Sequence, residues 1–112
     1  EEGNTKKAEQ HYKKSVEFSP EGEAWSCLVL ADFYLGQGRI SDAESMYRNA
    51  LHKENTGTVN YRLGLFFANI NKKNKAIEHL EAAEMMFITT SGEHSDFYLT
   101  EIANKLTALK TA

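Results

Sequence analysis

The sequence predicts an all-α protein, an α-solenoid of antiparallel helix pairs with about six helices. Three observations predict it. Six residue pairs recur at one offset: Leu30/Leu63, Ala31/Gly64, Tyr34/Phe67, Ala43/Ala76, Tyr47/Leu80 and Ala50/Ala83 are each 33 residues apart. A period in the low thirties marks helical repeats whose units cannot bury their apolar face alone. No stretch alternates with a two-residue period, whereas three- and four-residue spacings of apolar residues are common. A single proline leaves the punctuation of the chain to Gly, Asn and Ser.

The elements follow in order. Residues 5–18 carry Ala8, Tyr12, Ser15 and Val16 along one stripe and stop at Ser19-Pro20. Residues 23–36 form a strongly apolar helix ending at Gly36-Gln37-Gly38, where Gly supplies the left-handed closing geometry. Ser41 is placed to cap the third helix, with Glu44 completing an S-x-x-E box. That helix runs to about Lys53 and stops in Glu54-Asn55-Thr56-Gly57. Residues 58–70 make the fourth helix, broken by Asn71, and the fifth starts near Asn74 with Ala76, Ile77, Leu80, Ala83 and Met86 inward. A loop over Thr89–His94 precedes a last helix, capped by Ser95 or Asp96 and running to about Lys110. Its stripe is Leu99, Ile102, Ala103, Leu106 and Leu109.

Whole-chain quantities narrow the function classes. A chain of 112 residues supports one domain. Its hydrophobic share of 41% and charged share of 26% are ordinary for a globular protein. A net charge of -3 argues against nucleic acid as a partner. The basic runs Lys6-Lys7, Lys13-Lys14 and Lys72-Lys73 with Lys75 lie beside acidic residues and read as solvated faces. No apolar run nears the roughly 18 residues of a membrane span. A lone Cys27 forms no internal disulfide, and the polar first residues have no signal-peptide core, so a cytoplasmic location is expected.

The repeat resembles the tetratricopeptide (TPR) pattern: an aromatic, then L-G, then Y in one helix, with A-x3-F and a later P in its partner. One unit reads Cys27-x2-Leu30-Ala31-x2-Tyr34, then Ala43-x3-Tyr47 and Ala50, with Asn55 at the proline position. The next reads Asn60-x2-Leu63-Gly64-x2-Phe67, then Ala76-x3-Leu80 and Ala83. Upstream, Ala8-x3-Tyr12, Ser15 and Pro20 resemble a second half-unit, 35 residues before the equivalent Ala43. Downstream, Leu99-x2-Ile102-Ala103-x2-Leu106 resembles a first half-unit, with Ile102 lying 39 residues beyond Leu63. Cys27 and Asn60 depart from the leading aromatic. The resemblance therefore implies a right-handed superhelix over 1–112: a half unit at 3–22, full units at 24–56 and 57–88, and a capping or half-unit helix at 95–111.

In such arrays the first helix of each unit lines a concave face that binds partners. The resemblance places Trp25, Leu28, Val29, Asp32 and Leu35 there in one unit. The matching residues are Thr58, Tyr61, Arg62, Leu65 and Asn69 in the next, and Phe97, Thr100, Glu101 and Asn104 in the last helix. Trp, Tyr and Arg are favoured interface anchors, so Trp25 leads the set, and Arg62 can meet a carboxylate or carbonyl. One TPR subtype grips acidic chaperone tails through Lys and Asn side chains. Leu28 and Asp32 stand where that clamp's first Lys and Asn would be, so a partner with apolar anchors fits better.

Enzyme signatures are missing. His11, His52, His79 and His94 have neither HExxH spacing nor a neighbouring Cys, so no metal or other cofactor is expected. Gly36-Gln37-Gly38 is a helix–helix turn without the Lys-Ser/Thr of a phosphate loop. Cys27 falls on a packing position and reads as inert, and Met85-Met86-Phe87 as core. The reading is a non-enzymatic module that binds a protein or peptide partner, without membrane insertion. Its alternative is an architectural spacer of a longer helical scaffold, or a segment that self-associates through its half units.

Overall fold

The computed structural model describes residues 2–18, 23–89 and 95–111, and for Glu2 only the backbone. It contains α1 (Glu2–Glu17), α2 (Trp25–Gly36), α3 (Ile40–Lys53), α4 (Gly57–Asn69), α5 (Lys73–Thr89) and α6 (Ser95–Thr111). There is no strand among the described residues. The chain divides into two compact units, Glu1–Glu54 and Asn55–Ala112. In the first, α1 packs on α2 and α2 on α3; in the second, α4 packs on α5 and α5 on α6. The all-α expectation holds.

The 33-residue period extends from the side chains into the turn geometry. After α2, Gly38 adopts φ 76°, its N–H reaches Leu35 O at 3.0 Å, and Arg39 N–H reaches Tyr34 O at 2.9 Å. After α4, Asn71 takes the same left-handed conformation at φ 63°. Its N–H reaches Ala68 O at 3.2 Å, and Lys72 N–H reaches Phe67 O at 2.8 Å. Both are Schellman closures, which satisfy the last carbonyls of a helix and reverse the chain. Glycine adopts that conformation without steric cost, and Asn is the residue next best suited to it.

Each turn folds the second helix of a pair back onto the first, where small residues permit close approach. Ala31, Ala43, Tyr47 and Ala50 are buried in the first unit; Leu63, Gly64, Phe67, Ala76, Leu80 and Ala83 are buried in the second. At Gly64 the approach is close enough that a Cβ would lie 2.6 Å from Leu80 Cγ. Ile102 and Leu106 join Leu80 and Ala83 in one cluster, flanked by Tyr61, Ile77, Phe87, Tyr98 and Leu109.

The pairs are also joined at their open ends. In the first unit, Ala24 N–H donates to the Glu54 carboxylate at 2.6 Å, giving α2 an acceptor that its own cap residue lacks. In the second, the equivalent Gly57 lies against the Phe87 ring, 3.0 Å from where its Cβ would be. Thr56 caps α4, its hydroxyl accepting from Val59 N–H at 3.3 Å.

Polar bonds hold α1 to its neighbours. Arg39 donates to Glu9 at 2.7 Å and to Asp42 at 2.8 Å, and its guanidinium lies 4.3 Å over the Tyr34 ring. Tyr34 OH and Lys13 each donate to Glu9 at 3.1 Å. The Arg39 hydrogen bond, then that of Lys13, brings the Glu9 carboxyl from an ordinary 4.5 down to about 2. A carboxyl lowered on folding contributes its stabilisation above its unfolded value, and loses it as pH falls toward the folded one. Hydrogen-exchange protection of the α1 amides is therefore expected to drop between about pH 4.5 and 2. Glu9→Gln should flatten that drop; a drop of the same size in the variant would assign the effect to another group.

The structure changes several local expectations. Helix α3 begins at Ile40 with Arg39 as its cap residue, so Ser41 lies inside the first turn and makes no capping bond. Glu44 instead accepts from Arg48 at 2.8 Å, one turn on. Ala103 and Met85 are exposed, and Leu99, Leu109, Met86 and Phe87 are half-buried. Ser15 is exposed as well and donates to His11 O at 3.2 Å. Ser19, Pro20 and the segment 90–94, with His94, lie outside the described residues.

Candidate partner-binding surface

On α2, one turn of helix for every 3.6 residues places Trp25, Val29 and Asp32 along a single stripe. Trp25 is 66% exposed at the helix start, Val29 is half-buried and Asp32 exposed. The Asp32 carboxylate accepts from Tyr47 OH on α3, which ties it to the helix pair. Leu28 departs from the expected set: it is only 3% exposed. Its position, roughly 60° around the helix from Trp25, turns it toward the packed side, and it offers a partner no surface. Leu35, two turns on from Leu28 and on the same side of the helix, is half-buried.

The predicted residues of α4 fall together on its accessible side. Thr58, Tyr61, Arg62 and Leu65 are half-buried and Asn69 is exposed, while the opposite side is packed. On α6, Phe97 is 62% exposed, Thr100 and Asn104 are exposed and Glu101 is half-buried. The second unit thus brings Tyr61 and Phe97 around Tyr98, a residue missing from the sequence-based set, with Glu101 and Arg62 near Tyr61. The Tyr98 ring stacks on Phe87 with centroids 4.7 Å apart. It meets Tyr61 edge-on at 5.4 Å and Phe97 at 5.6 Å. Its signal was the adjacent aromatic pair. Consecutive residues point about 100° apart on a helix, so one ring faces solvent while the next reaches the neighbouring helix.

Burial raises the Tyr61 hydroxyl above its ordinary value, and the nearby Glu101 charge adds to this while Arg62 opposes it. The phenol therefore stays protonated at neutral pH. Together these side chains offer aromatic area and both charge signs, the composition of a recognition patch. Trp25 and Phe97 also share one repeat position, five residues before Leu30 and Ile102 respectively.

The remaining candidates carry structural duties. Burial pushes the Cys27 thiol up, against the lowering effect of Lys53, and a buried protonated thiol is a poor nucleophile. His79 stacks on Phe67 with centroids 5.5 Å apart and lies 3.1 Å from Asn60 Oδ1. No group of three or more His, Cys, Asp or Glu suited to a metal occurs among the described residues. No helix among them is long and apolar enough to cross a membrane.

Comparison with known proteins agrees with the helix pairs and their period. A family model described as tetratricopeptide repeat matches residues 1–63, and a second of the same description matches residues 57–86. No curated protein sequence matches the chain. A match over more than half the length, joined by a second that covers the Gly64–Leu80 approach, leads to one conclusion: the chain belongs to the tetratricopeptide repeat family.

Proposed function

We propose that the chain binds a segment of a partner protein through the accessible faces of α2, α4 and α6. These are the first helices of successive units, and in arrays of this family such helices line the concave face. The unit boundaries we infer are the half unit 3–22, the full units 24–56 and 57–88, and the closing helix 95–111. Tetratricopeptide repeats generally mediate protein–protein interaction, and the family is typically non-catalytic. The observation that carries the proposal is the exposure of Trp25. An indole left 66% in solvent at the start of an otherwise apolar helix is a costly arrangement unless a partner covers it. Val29 and Asp32 continue its stripe, and Tyr61, Arg62, Leu65, Phe97 and Glu101 supply the second unit's contribution. Apolar and aromatic residues dominate, so the partner segment carries apolar anchors.

Trp25 is the chain's one tryptophan, which makes the test direct. Adding the partner should shift its fluorescence to shorter wavelength as the indole leaves water. Trp25→Ala, or the pair Arg62→Ala and Phe97→Ala, should weaken binding by about 30-fold, the effect of losing an interface anchor. Helical content should be unchanged. Unaltered affinity in both variants would remove the site from these faces.

A further inference from the structure

The second unit holds a carboxylate beside a group of aromatic rings. Tyr61 and Phe97 meet Tyr98 with ring centroids 5.4 and 5.6 Å apart, both close to edge-on. Glu101 lies one turn of α6 beyond Phe97, a spacing that makes the two side chains surface neighbours. Its charge also reaches Tyr61: burial raises that hydroxyl most, Glu101 next, and the opposing effect of Arg62 is smaller. Glu101 is half-buried, yet no hydrogen bond or ion pair of its side chain occurs among the described residues. Lys105, one turn further on and correctly spaced for a pair, stays exposed and forms none with it. This exposure belongs to the place in the repeat and not to the place of α6 in the chain. The equivalents of Phe97 and Glu101 on α2 are Trp25 and Val29, 72 residues earlier. Helix α2 packs against both α1 and α3, and there too the first residue is exposed and the second half-buried.

We propose, resting on the partner-binding reading above, that the corner of Tyr61, Phe97, Tyr98 and Glu101 receives an arginine side chain of the partner segment. The guanidinium lies against the rings and donates to the Glu101 carboxylate. Two grounds select arginine. The first unit contains the same combination filled by its own chain. There the Arg39 guanidinium lies 4.3 Å over the Tyr34 ring while donating to Glu9 at 2.7 Å. A guanidinium is planar and weakly hydrated, so it stacks on a ring and bonds a carboxylate at once, whereas an ammonium holds its water more strongly. Partial removal from water strengthens both contacts, because ring and carboxylate attract the cation through a lower dielectric. The net charge of -3 adds a general attraction for a basic segment. The partner therefore carries an arginine among the apolar anchors already assigned to it.

Selection of short random peptides on the full chain tests this. Enriched peptides should combine apolar residues with an arginine at a recurrent spacing from them. The tightest of them, remade with citrulline in place of that arginine, should bind about tenfold more weakly, the loss of one charge-assisted contact. Remade with lysine, it should bind about threefold more weakly. Glu101→Gln should weaken the arginine peptide by about the same tenfold and leave the citrulline peptide unaffected. Helical content should be unchanged in the variant. Glu101→Lys, offered the same library, should no longer select arginine. Apolar peptides without a recurrent arginine, or an arginine preference over citrulline that survives Glu101→Gln, would overturn the proposal and leave the partner surface standing. A lysine peptide bound as tightly as its arginine parent would overturn the assignment of a guanidinium. No enriched peptide on the wild type would remove the partner-binding reading itself, and the arginine corner with it.

Discussion

Leu80→Ala is expected to destabilise the second unit by about 2–5 kcal/mol, the range for truncating a fully buried leucine. The side chain is completely buried and forms the floor against which Gly64 rests. The informative comparison is with Gly64→Ala. Alanine favours a helix over glycine by roughly 0.5–1 kcal/mol, but its methyl would sit 2.6 Å from Leu80 Cγ and 2.7 Å from Cδ2. Those are branch atoms of a packed side chain, so the clash should dominate and cost about 1–3 kcal/mol. In the Leu80→Ala background both atoms are gone and the same substitution should become neutral or favourable. Urea unfolding of the four proteins measures the coupling. Equal damage from Gly64→Ala in both backgrounds would show that Leu80 does not set the close approach.

A second large effect is expected at Asn60, which stands buried where the repeat pattern has an aromatic. Its Nδ2 donates to Asn55 Oδ1 at 2.8 Å and to Thr56 O at 2.9 Å. With the amide nitrogen thus engaged, Oδ1 is the acceptor for His79, whose Nδ1 carries the proton. Asn60→Ala removes the side-chain bonds of Asn55 Oδ1 and His79 Nδ1, while Thr56 O keeps the bond from Asn60 N–H, and it should cost about 1–3 kcal/mol for each group left without water or a new bond. Thermal melts measure the loss. The His79 ring nitrogen shifts should at the same time report release of the Nδ1-protonated tautomer. A melting temperature like that of the wild type would mean the network is bonded to water at no cost, and would reduce Asn60 to a space-filler.

The sequence made the helices and their pairing legible because two signals coincide there. Apolar residues at helical spacing mark the faces, and Gly36-Gln37-Gly38 and Asn71 mark the reversals. The matching small and large residues at one offset then indicate which helices lie together. Burial was less legible, since it depends on whether a neighbour exists and not only on the pattern. Ala103 and Leu99 obey the pattern as well as Ala31 and Cys27 do, yet no helix among the described residues covers them to the same extent. Leu28 shows the converse: its place in the repeat assigned it to the accessible face, and a rotation of part of a turn buries it. Met85 belongs to an apolar triplet and still faces solvent, because three consecutive residues cannot share one side of a helix. The Asn60–His79 contact joins residues 19 positions apart on different helices, a pairing that no local spacing announces.

The two left-handed closures bear on how such a chain tolerates changes in length. Tyr34 and Phe67 each contribute a ring to the core and a carbonyl to the reversal that follows, so an added or deleted residue within a pair would displace both at once. Length changes are thereby confined to the connections between pairs. There the equivalent positions drift from 33 to 35 residues before the central units and to 39 after them. The helix hairpin keeps its own length, and the connections between hairpins carry the differences in spacing.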